Sequence, residues 1–211
     1  MARPKRAAPG DAGTRDRLLA AAAAEFAARG FAGANTDRIA RAARINKAMI
    51  YYHFKSKADL YRRILDDMFS AVEARVREAA ASDRTPEDKL RQFVSAIATE
   101  AEARPHFPPI WFREIAEGGV HLDMHTLQHL AHVLAALRSI IQEGVAAGRF
   151  RGANPLLVHA GIVGPLLLFF ATGPLRQRLS KAGVAAASGI QRDDVVAHVQ
   201  GVALGILQGR M

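Results

Sequence analysis

The spacing of apolar residues along the chain predicts helices and no strands. From Thr14, apolar residues recur three and four positions apart, at Leu18, Ala22 and Phe26 among others, which is the period of one helix face. Gly30 is suited to ending this helix because glycine adopts the left-handed backbone of a C-terminal cap without steric cost. No segment alternates apolar and polar residues as a half-buried strand would. The pattern therefore favours the all-α fold class.

Two short helices follow, and their lengths are informative. The first runs from Thr36 to Ala43, and Asn46 can cap a second that runs from Lys47 to about Phe54. Two short helices joined by a tight turn have the dimensions of a helix-turn-helix, whose second helix enters the major groove of DNA. This arrangement predicts an N-terminal head of three helices that binds DNA.

The rest of the chain is predicted to be a larger helical body. Further helices are expected at about 58–81, 85–103, 110–117, 122–148, 155–172 and 192–208. The stretch 173–189 is rich in Gly, Ala and Ser, and we expect it to be a loop. We therefore divide the chain into a DNA-binding domain, 1–57, that begins with a basic arm, and a second domain, 58–211.

The positive charge is concentrated in the head. The chain carries a formal charge of +9, and residues 1–63 hold 14 Lys and Arg against 5 Asp and Glu, whereas the remainder holds 15 of each sign. Such asymmetry is typical of a segment that binds a polyanion and is joined to a neutral domain with a different function.

The composition and the absence of certain motifs bear on the cellular location of the protein and on whether it is an enzyme. The chain has no cysteine, and its longest nearly apolar run, 161–173, is well short of the roughly 20 residues that span a bilayer. The first ten residues also lack the apolar stretch of a secretory signal. We expect a cytoplasmic protein without membrane contact. Because no G-x-S-x-G, P-loop or H-E-x-x-H motif is present, we expect neither an enzyme nor a bound cofactor.

Aromatic and basic residues are interleaved in the segment INKAMIYYHFKSK, residues 45–57. On a helix, Ile50 and Phe54 share the inner face, while Tyr51 and Tyr52 point elsewhere. A tyrosine hydroxyl can donate to a phosphate while its ring packs on the sugar edge, and nearby lysines add positive charge. The mixture favours a surface that lies on DNA over simple packing of the two tyrosines between helices.

The stretch TDRIARAARINKAMIYYHFKSKADLYRRIL, residues 36–65, resembles the DNA-binding domain of the TetR family of bacterial transcriptional regulators. Its Tyr-Tyr-His-Phe-Lys-Ser-Lys run matches that family's signature at the end of the third helix. By this resemblance, the residues expected to contact DNA are Thr36, Asn46, Lys47, Ala48, Met49, Tyr51, Tyr52, His53 and Lys57. Of these, Lys47, Ala48, Met49 and Tyr52 are expected to read bases, and Lys57 to meet a phosphate.

The basic arm and the turn add two further expectations. Arg3, Lys5 and Arg6 can reach a neighbouring minor groove. Arg44 stands in the turn where the family usually has glycine, and it is strained if the turn keeps a left-handed residue. Ala48 also replaces a glycine of the family pattern.

The resemblance further implies a homodimer that binds an inverted-repeat operator on double-stranded DNA and encloses an inducer in its larger domain. The last two helices would form the dimer interface, with Gly161, Gly164, Val195, Val199, Val202 and Ile206 as its residues. A pocket for an apolar or cationic small molecule would draw on Met68, Phe93, Phe107, Trp111, Phe112, Met124, His125, Phe169 and Phe170, although an aromatic or Met residue at helical spacing is more often plain core.

Four histidines in HLDMHTLQHLAH, residues 121–132, share one side of a predicted helix. His121, His125, His129 and His132 can form a solvated face, the polar wall of a pocket, or a metal site. The solvated face is the simplest of these, and no carboxylate other than Asp123 is evident as their partner.

The leading hypothesis is a ligand-responsive transcriptional repressor, released from its operator when an inducer binds. A metal-responsive regulator that senses through the four histidines is the first alternative. A non-specific architectural DNA-binding protein is the second, and it would need neither a pocket nor a sequence preference.

Overall fold

The computed structural model describes the backbone of residues 9–185 and 189–210 and the side chains from residue 13 onward. Its described residues form ten helices and no strand, which confirms the all-α class. They are α1 (Pro9–Gly33), α2 (Thr36–Ala43), α3 (Lys47–His53), α4 (Lys57–Ala81), α5 (Pro86–Ala103), α6 (Phe107–Ala116), α7 (Met124–Ala146), α8 (Pro155–Ala171), α9 (Gly173–Lys181) and α10 (Arg192–Gln208). The basic arm of Arg3, Lys5 and Arg6 lies outside the described residues.

Local caps set the beginnings of four helices. The side chains of Asn35, Asn46 and Asn154 each accept a hydrogen bond from the backbone N–H two residues later, at the starts of α2, α3 and α8. Thr85 accepts from the N–H of Asp88 at the start of α5. These short-range bonds satisfy N–H groups that have no partner within the helix, so the sequence alone located these helix starts correctly.

Two segments differ from the sequence-based expectation. Helical residues continue beyond Gly30 to Gly33, but the backbone at Gly30 breaks the helix, with φ 69° and ψ 174°. The predicted loop 173–189 was wrong over its first half, where α9 forms. Pro174 occupies the first turn of α9, and the Leu, Arg and Gln residues that follow are good helix formers.

The first of two compact units combines the chain up to Asp67 with Pro109–Asp123. Three aromatic rings lie in its core: the centroid of Tyr61 is 4.6 Å from that of Phe26 and 5.2 Å from that of Phe31. The unit includes the first part of α4 and most of α6, and the domain boundary between residues 57 and 58 stays a prediction.

The second unit comprises Met68–Pro108 and the chain from Met124 onward. Its helices α5, α7, α8 and α10 contact one another around a buried aliphatic core. Two ion pairs join α5 to α7 and to the turn after it. The Nζ of Lys89 is 2.6 Å from Glu143, and the Nε of Arg149 is 2.6 Å from Glu87.

None of the described helices combines the length and the apolar composition that a membrane span requires. Only α8 and α9 taken together reach that length and composition, and a bend of 59° separates them.

The turn between α2 and α3 contains a non-glycine residue, Arg44, in the left-handed backbone conformation, which costs free energy for any residue with a side chain. Arg44 has φ 53° and ψ 48°, and its N–H donates to the carbonyls of Ala40 and Arg41 at the end of α2. Within the described residues it is the only non-glycine residue with positive φ. The hydrogen bonds of the cap thus hold a side chain in a conformation that glycine adopts without strain.

Replacing Arg44 by glycine should raise the free energy of unfolding by about 1 kcal/mol, because the left-handed conformation then costs nothing. The measurement is urea unfolding followed by circular dichroism. Arg41→Gly, three residues earlier within α2, is the matched control and should lower the stability by about 1 kcal/mol. An unchanged or lower stability for Arg44→Gly would contradict the strain.

Candidate nucleic-acid interface

The helix pair α2–α3 is anchored by a small apolar core. Ile39, Ala40 and Ala43 of α2 are buried, as is Ile50 of α3. These contacts fix the inner faces of both helices, so their outer faces present a defined set of side chains. The predicted core position of Phe54 is confirmed, since its ring is buried.

Tyr51 and Tyr52 are the exposed aromatic residues of α3. Tyr51 is 51% exposed and Tyr52 is 69% exposed. The ring of His53 stands edge-on to that of Tyr52, with centroids 5.1 Å apart. Large aromatic side chains at a protein surface cost free energy unless a partner covers them, which supports a contact surface here.

Lys47 forms an ion pair within the helix pair. Its Nζ is 2.9 Å from Oδ2 of Asp37, and both side chains are substantially exposed. The hydrogen bond with Asp37 raises the pKa of Lys47 above its usual range. Lys47 therefore lies on the outer surface, as expected of a base reader, but DNA must compete with Asp37 for its ammonium group.

The remaining predicted contacts of α2 and α3 lie close by in the chain. Thr36 is the first residue of α2 and is partly exposed, Ala48 is exposed, and Met49 is partly exposed. Asn46 caps α3, where its Oδ1 accepts from the N–H of Ala48 at 2.9 Å. The Oδ1 atom of Asn46 is therefore used to cap α3, and the contact of Asn46 with DNA stays a prediction.

Lys57 has a structural task that the sequence did not reveal. Its Nζ donates to the carbonyls of Phe31 at 2.8 Å and Ala34 at 3.2 Å, and it lies 4.5 Å from the centroid of the Phe31 ring. This ammonium group thus binds the backbone carbonyls at the end of α1. A phosphate contact would have to use its third N–H.

Glu25 is a second residue of this unit that sequence reasoning missed. Its Oε1 accepts from Nε of Arg38 at 2.7 Å and from the backbone N–H of Asn35 at 3.1 Å. The hydrogen bond from Arg38 holds the pKa of this carboxyl below its usual range. Glu25 ties α1 to the start of α2, and only the three-dimensional structure shows this, because Asn35 and Arg38 lie 10 and 13 residues away in the chain.

The residues predicted to line an inducer pocket do not form one group. Met68, Phe93 and Phe107 are buried in the core of the second unit, which matches the alternative that they are core residues. Trp111 and Phe112 belong to the first unit and are half-buried. Met124 and His125 are exposed, whereas Phe169 and Phe170 are half-buried, and Arg176 lies 3.8 Å over the Phe169 ring.

Among the concavities that the described residues of the second unit form, three have linings that include none of these predicted residues. The largest, about 670 Å³, lies along α10 beside Arg91 and includes His198, Gly201 and Gly205. The inducer pocket therefore stays a prediction.

The four histidines are divided between two environments. His121 precedes α7 and lies 2.9 Å from Glu114, so it is not on the helix that carries the others. His129 and His132 contact Glu73 on α4 through their Nδ1 atoms, at 2.5 and 2.9 Å. The expectation that these histidines lack carboxylate partners was wrong: Glu114 lies seven residues before His121, and Glu73 lies 56 and 59 residues before His129 and His132.

Glu73 is held as a carboxylate by these contacts. Burial alone would raise its pKa, but the hydrogen bonds from His129 and Arg77 and the nearby histidines bring the pKa below its usual value. The rings of His125 and His129 meet edge to face with centroids 4.8 Å apart. Glu73, His129 and His132 thus form a hydrogen-bonded network on this part of the histidine face, and metal sensing by these histidines stays a prediction.

The residues predicted for a dimer interface have unequal exposure. On α8, Gly161 is exposed and Gly164 is partly exposed, and a methyl group added to either would meet no atom within 4 Å. On α10, Ile206 is exposed, and Val195 and Val202 are partly exposed. The predicted place of Val199 in the interface is corrected, because its side chain is buried within its own chain and cannot face a partner.

Comparison with known proteins adds independent findings on both parts of the chain. Residues 18–64 match the family model described as bacterial regulatory proteins, tetR family, and residues 86–197 match one described as Tetracyclin repressor-like, C-terminal domain. The chain is 33% identical over 162 residues to the HTH-type transcriptional repressor NicS of Pseudomonas putida, a match that covers 74% of each protein. It is 32% identical over 135 residues to the HTH-type transcriptional repressor SCO4008 of Streptomyces coelicolor, covering 63% of this chain and 67% of the relative.

Solved structures share the fold. A regulatory protein of the tetR family from Rhodococcus RHA1 matches with a TM-score of 0.74 and 21% identity, covering 92% of this chain and 96% of its own. The fatty acid degradation regulator FadR of Bacillus halodurans matches with a TM-score of 0.70 and 20% identity, covering 95% and 97%. At these identities the likeness concerns the fold alone.

The internal bonds of Lys57 lead to a prediction about stability. Lys57→Ala should lower the free energy of unfolding by about 1 to 2 kcal/mol, because the carbonyls of Phe31 and Ala34 lose a charged donor. Lys55→Ala, which removes an exposed lysine two positions away, should change it by less than about 0.5 kcal/mol. Urea unfolding of both variants is the measurement, and equal effects would contradict the structural role of Lys57.

Proposed function

This chain belongs to the TetR family of bacterial transcriptional regulators and is a DNA-binding regulator, and we propose that it is a homodimeric repressor. In this proposal each subunit places α3 in the major groove of one half of an inverted-repeat operator. A small-molecule inducer bound in the larger domain then lowers the affinity for the operator.

Repression is favoured over activation by the relatives. NicS and SCO4008 are both named repressors, and the match to each extends well beyond the DNA-binding head. The activator FasR of Mycolicibacterium smegmatis is 35% identical, but over only 83 residues, or 39% of this chain.

The observation that carries the DNA-binding mode is the exposure of Tyr51 and Tyr52 on a helix whose opposite side is anchored by Ile50. The two tyrosines lie beside basic residues, with Lys47 on the same helix and Lys55 just after it. Phosphate contacts position such a helix, whereas contacts with base edges give it sequence preference. We assign Tyr51 to the backbone, and Lys47 and Tyr52 to the bases.

The dimer is supported by an unpartnered apolar face on α8. Leu157, Gly161, Gly164 and Leu168 follow one another at helical spacing, and all four are at least partly exposed. Exposed leucines next to glycines allow the backbone of a second copy to approach closely. Ile206 of α10 adds a further exposed apolar side chain.

The inducer is proposed to be apolar or cationic. Aromatic and methionine side chains are plentiful in the middle of the chain, and those at Met68, Phe93 and Phe107 pack as core without a ligand. If inducer binding displaces these side chains, the response would involve repacking of the core.

Operator recognition should be visible as a sequence preference. In a fluorescence anisotropy titration at physiological salt, DNA from upstream of the protein's own gene should bind about a thousandfold or more tightly than a scrambled duplex of equal length. Tyr51→Ala should weaken binding to both duplexes by a similar factor, whereas Lys47→Ala should reduce the preference between them. Equal weak binding to both duplexes by the unaltered protein would contradict a specific operator in that region.

The dimer interface can be tested with two positions of the same exposure. Leu157 and Val120 are each 72% exposed, but only Leu157 lies on the proposed interface. Leu157→Arg should weaken dimerisation by roughly thirtyfold or more, since it places a charge in a buried interface, and Val120→Arg should not. Analytical ultracentrifugation over a range of concentrations measures both, and a Leu157→Arg variant that stays dimeric would refute the α8 interface.

A further inference from the structure

Three side chains with metal-binding chemistry converge at the end of α6. Glu114 and Glu117 lie three positions apart, and His121 follows four positions later. Nδ1 of His121 is 2.9 Å from Oε1 of Glu114 and 3.7 Å from Oε2 of Glu117. One potential ligand atom from each of the three residues lies within 4.8 Å of the other two.

Glu114 is the unusual member of this cluster because its carboxylate is fully buried. Its side chain is 0% exposed. Oε1 accepts hydrogen bonds from the Tyr61 hydroxyl at 2.7 Å and from His121. The other oxygen, Oε2, is buried and has no hydrogen-bond partner within the described part of the chain. A buried carboxylate oxygen without a partner is costly, so it indicates a missing ligand of positive charge.

We propose that Glu114, Glu117 and His121 form a binding site for a divalent transition-metal ion such as Zn²⁺. Metal–ligand bonds of about 2.0 to 2.1 Å in tetrahedral geometry separate neighbouring ligand atoms by roughly 3.3 Å. The two distances from His121 to the carboxylates, 2.9 and 3.7 Å, lie on either side of that value. One imidazole with two carboxylates suits Zn²⁺, Mn²⁺ or Fe²⁺, and the absence of cysteine removes the thiolates that favour Cu⁺.

The surroundings of the cluster hold its members in position. The buried Tyr61 hydroxyl donates to Oε1 of Glu114 at 2.7 Å, which orients the carboxylate. The His121 ring packs 4.3 Å from that of Phe31 and edge-on to Tyr61 at 5.3 Å, measured between centroids. Partners of this kind orient metal ligands and raise affinity.

This site differs from a metal site built on the histidine face. It uses His121 alone of the four histidines, and its other two ligands are carboxylates. His129 and His132 are already engaged by Glu73. An ion bound at the new site would neutralise two acidic side chains and would fix the segment from Glu114 to His121 against Phe31, the residue whose carbonyl Lys57 also holds.

A regulatory consequence rests on the proposed function. Phe31 and Tyr61 belong to the same compact unit as α2 and α3. Metal binding beside them would reduce the freedom of the DNA-binding unit and should therefore change its affinity for the operator.

The primary test is isothermal titration calorimetry of Zn²⁺ into the full-length, chelator-treated protein. We expect one saturable site per chain, and we expect Glu117→Gln and His121→Phe each to weaken it by at least about tenfold. His121→Phe keeps an aromatic ring for packing, and Glu117→Gln alters a side chain that is 44% exposed, so folding should survive that change. His132→Phe is the matched control and should leave the affinity unchanged.

Three results would overturn the proposal. They are no saturable binding by the unaltered protein, full affinity in both ligand variants, or loss of affinity in His132→Phe alone. Substitution with Co²⁺ gives a second readout, because a tetrahedral site with these ligands produces visible absorption that both ligand variants should lose. The effect of Zn²⁺ on operator affinity is measured in a separate titration. A failure of the proposed repressor function would therefore not alter the calorimetric result on zinc binding.

Discussion

The ammonium group of Lys57 holds the first helix to the fourth, and the geometry of the DNA-binding unit depends on it. Its donors reach the carbonyls of Phe31 and Ala34, which lie 26 and 23 residues earlier in the chain. Both α2 and α3 lie between these points, so fixing the two ends restricts how the intervening helices can move. The Phe31 ring beneath the ammonium joins the aromatic core with Phe26 and Tyr61, which couples this polar contact to the apolar packing.

Local signals were sufficient to predict most of the helices, because caps and apolar periodicity act over three or four residues. The bounds of α2 and α10 agree with the sequence-based expectation, and Asn46 caps α3 as expected. The contacts that shape the candidate sites are long-range and escaped prediction. Lys57 with Phe31, and Tyr61 with Glu114, join residues 26 and 53 positions apart, and no short motif encodes such pairs.

The positive charge of the head is only partly available to DNA. Asp37 pairs with Lys47, and Glu25 pairs with Arg38, so two of the basic side chains near the predicted recognition surface already have acidic partners. An exposed pair such as that of Lys47 contributes little stability and is easily broken. If Lys47 contacts DNA as proposed, a base edge or a phosphate has to replace its interaction with Asp37, and the free-energy cost of that exchange is small. A paired lysine of this kind favours discrimination among sequences over indiscriminate attraction.

The chain passes three times between its two compact units. The polypeptide passes between the two compact units at Asp67–Met68, at Pro108–Pro109 and at Asp123–Met124. The passage at Asp67–Met68 lies inside α4, and the passage at Pro108–Pro109 lies in the first turn of α6. Within the first unit, Lys57 at the start of α4 donates to the carbonyl of Phe31, and Glu114 of α6 accepts a hydrogen bond from the Tyr61 hydroxyl. Because the ring centroids of Phe31 and Tyr61 lie 5.2 Å apart, these two contacts join α1, α4 and α6 in the core of the DNA-binding unit.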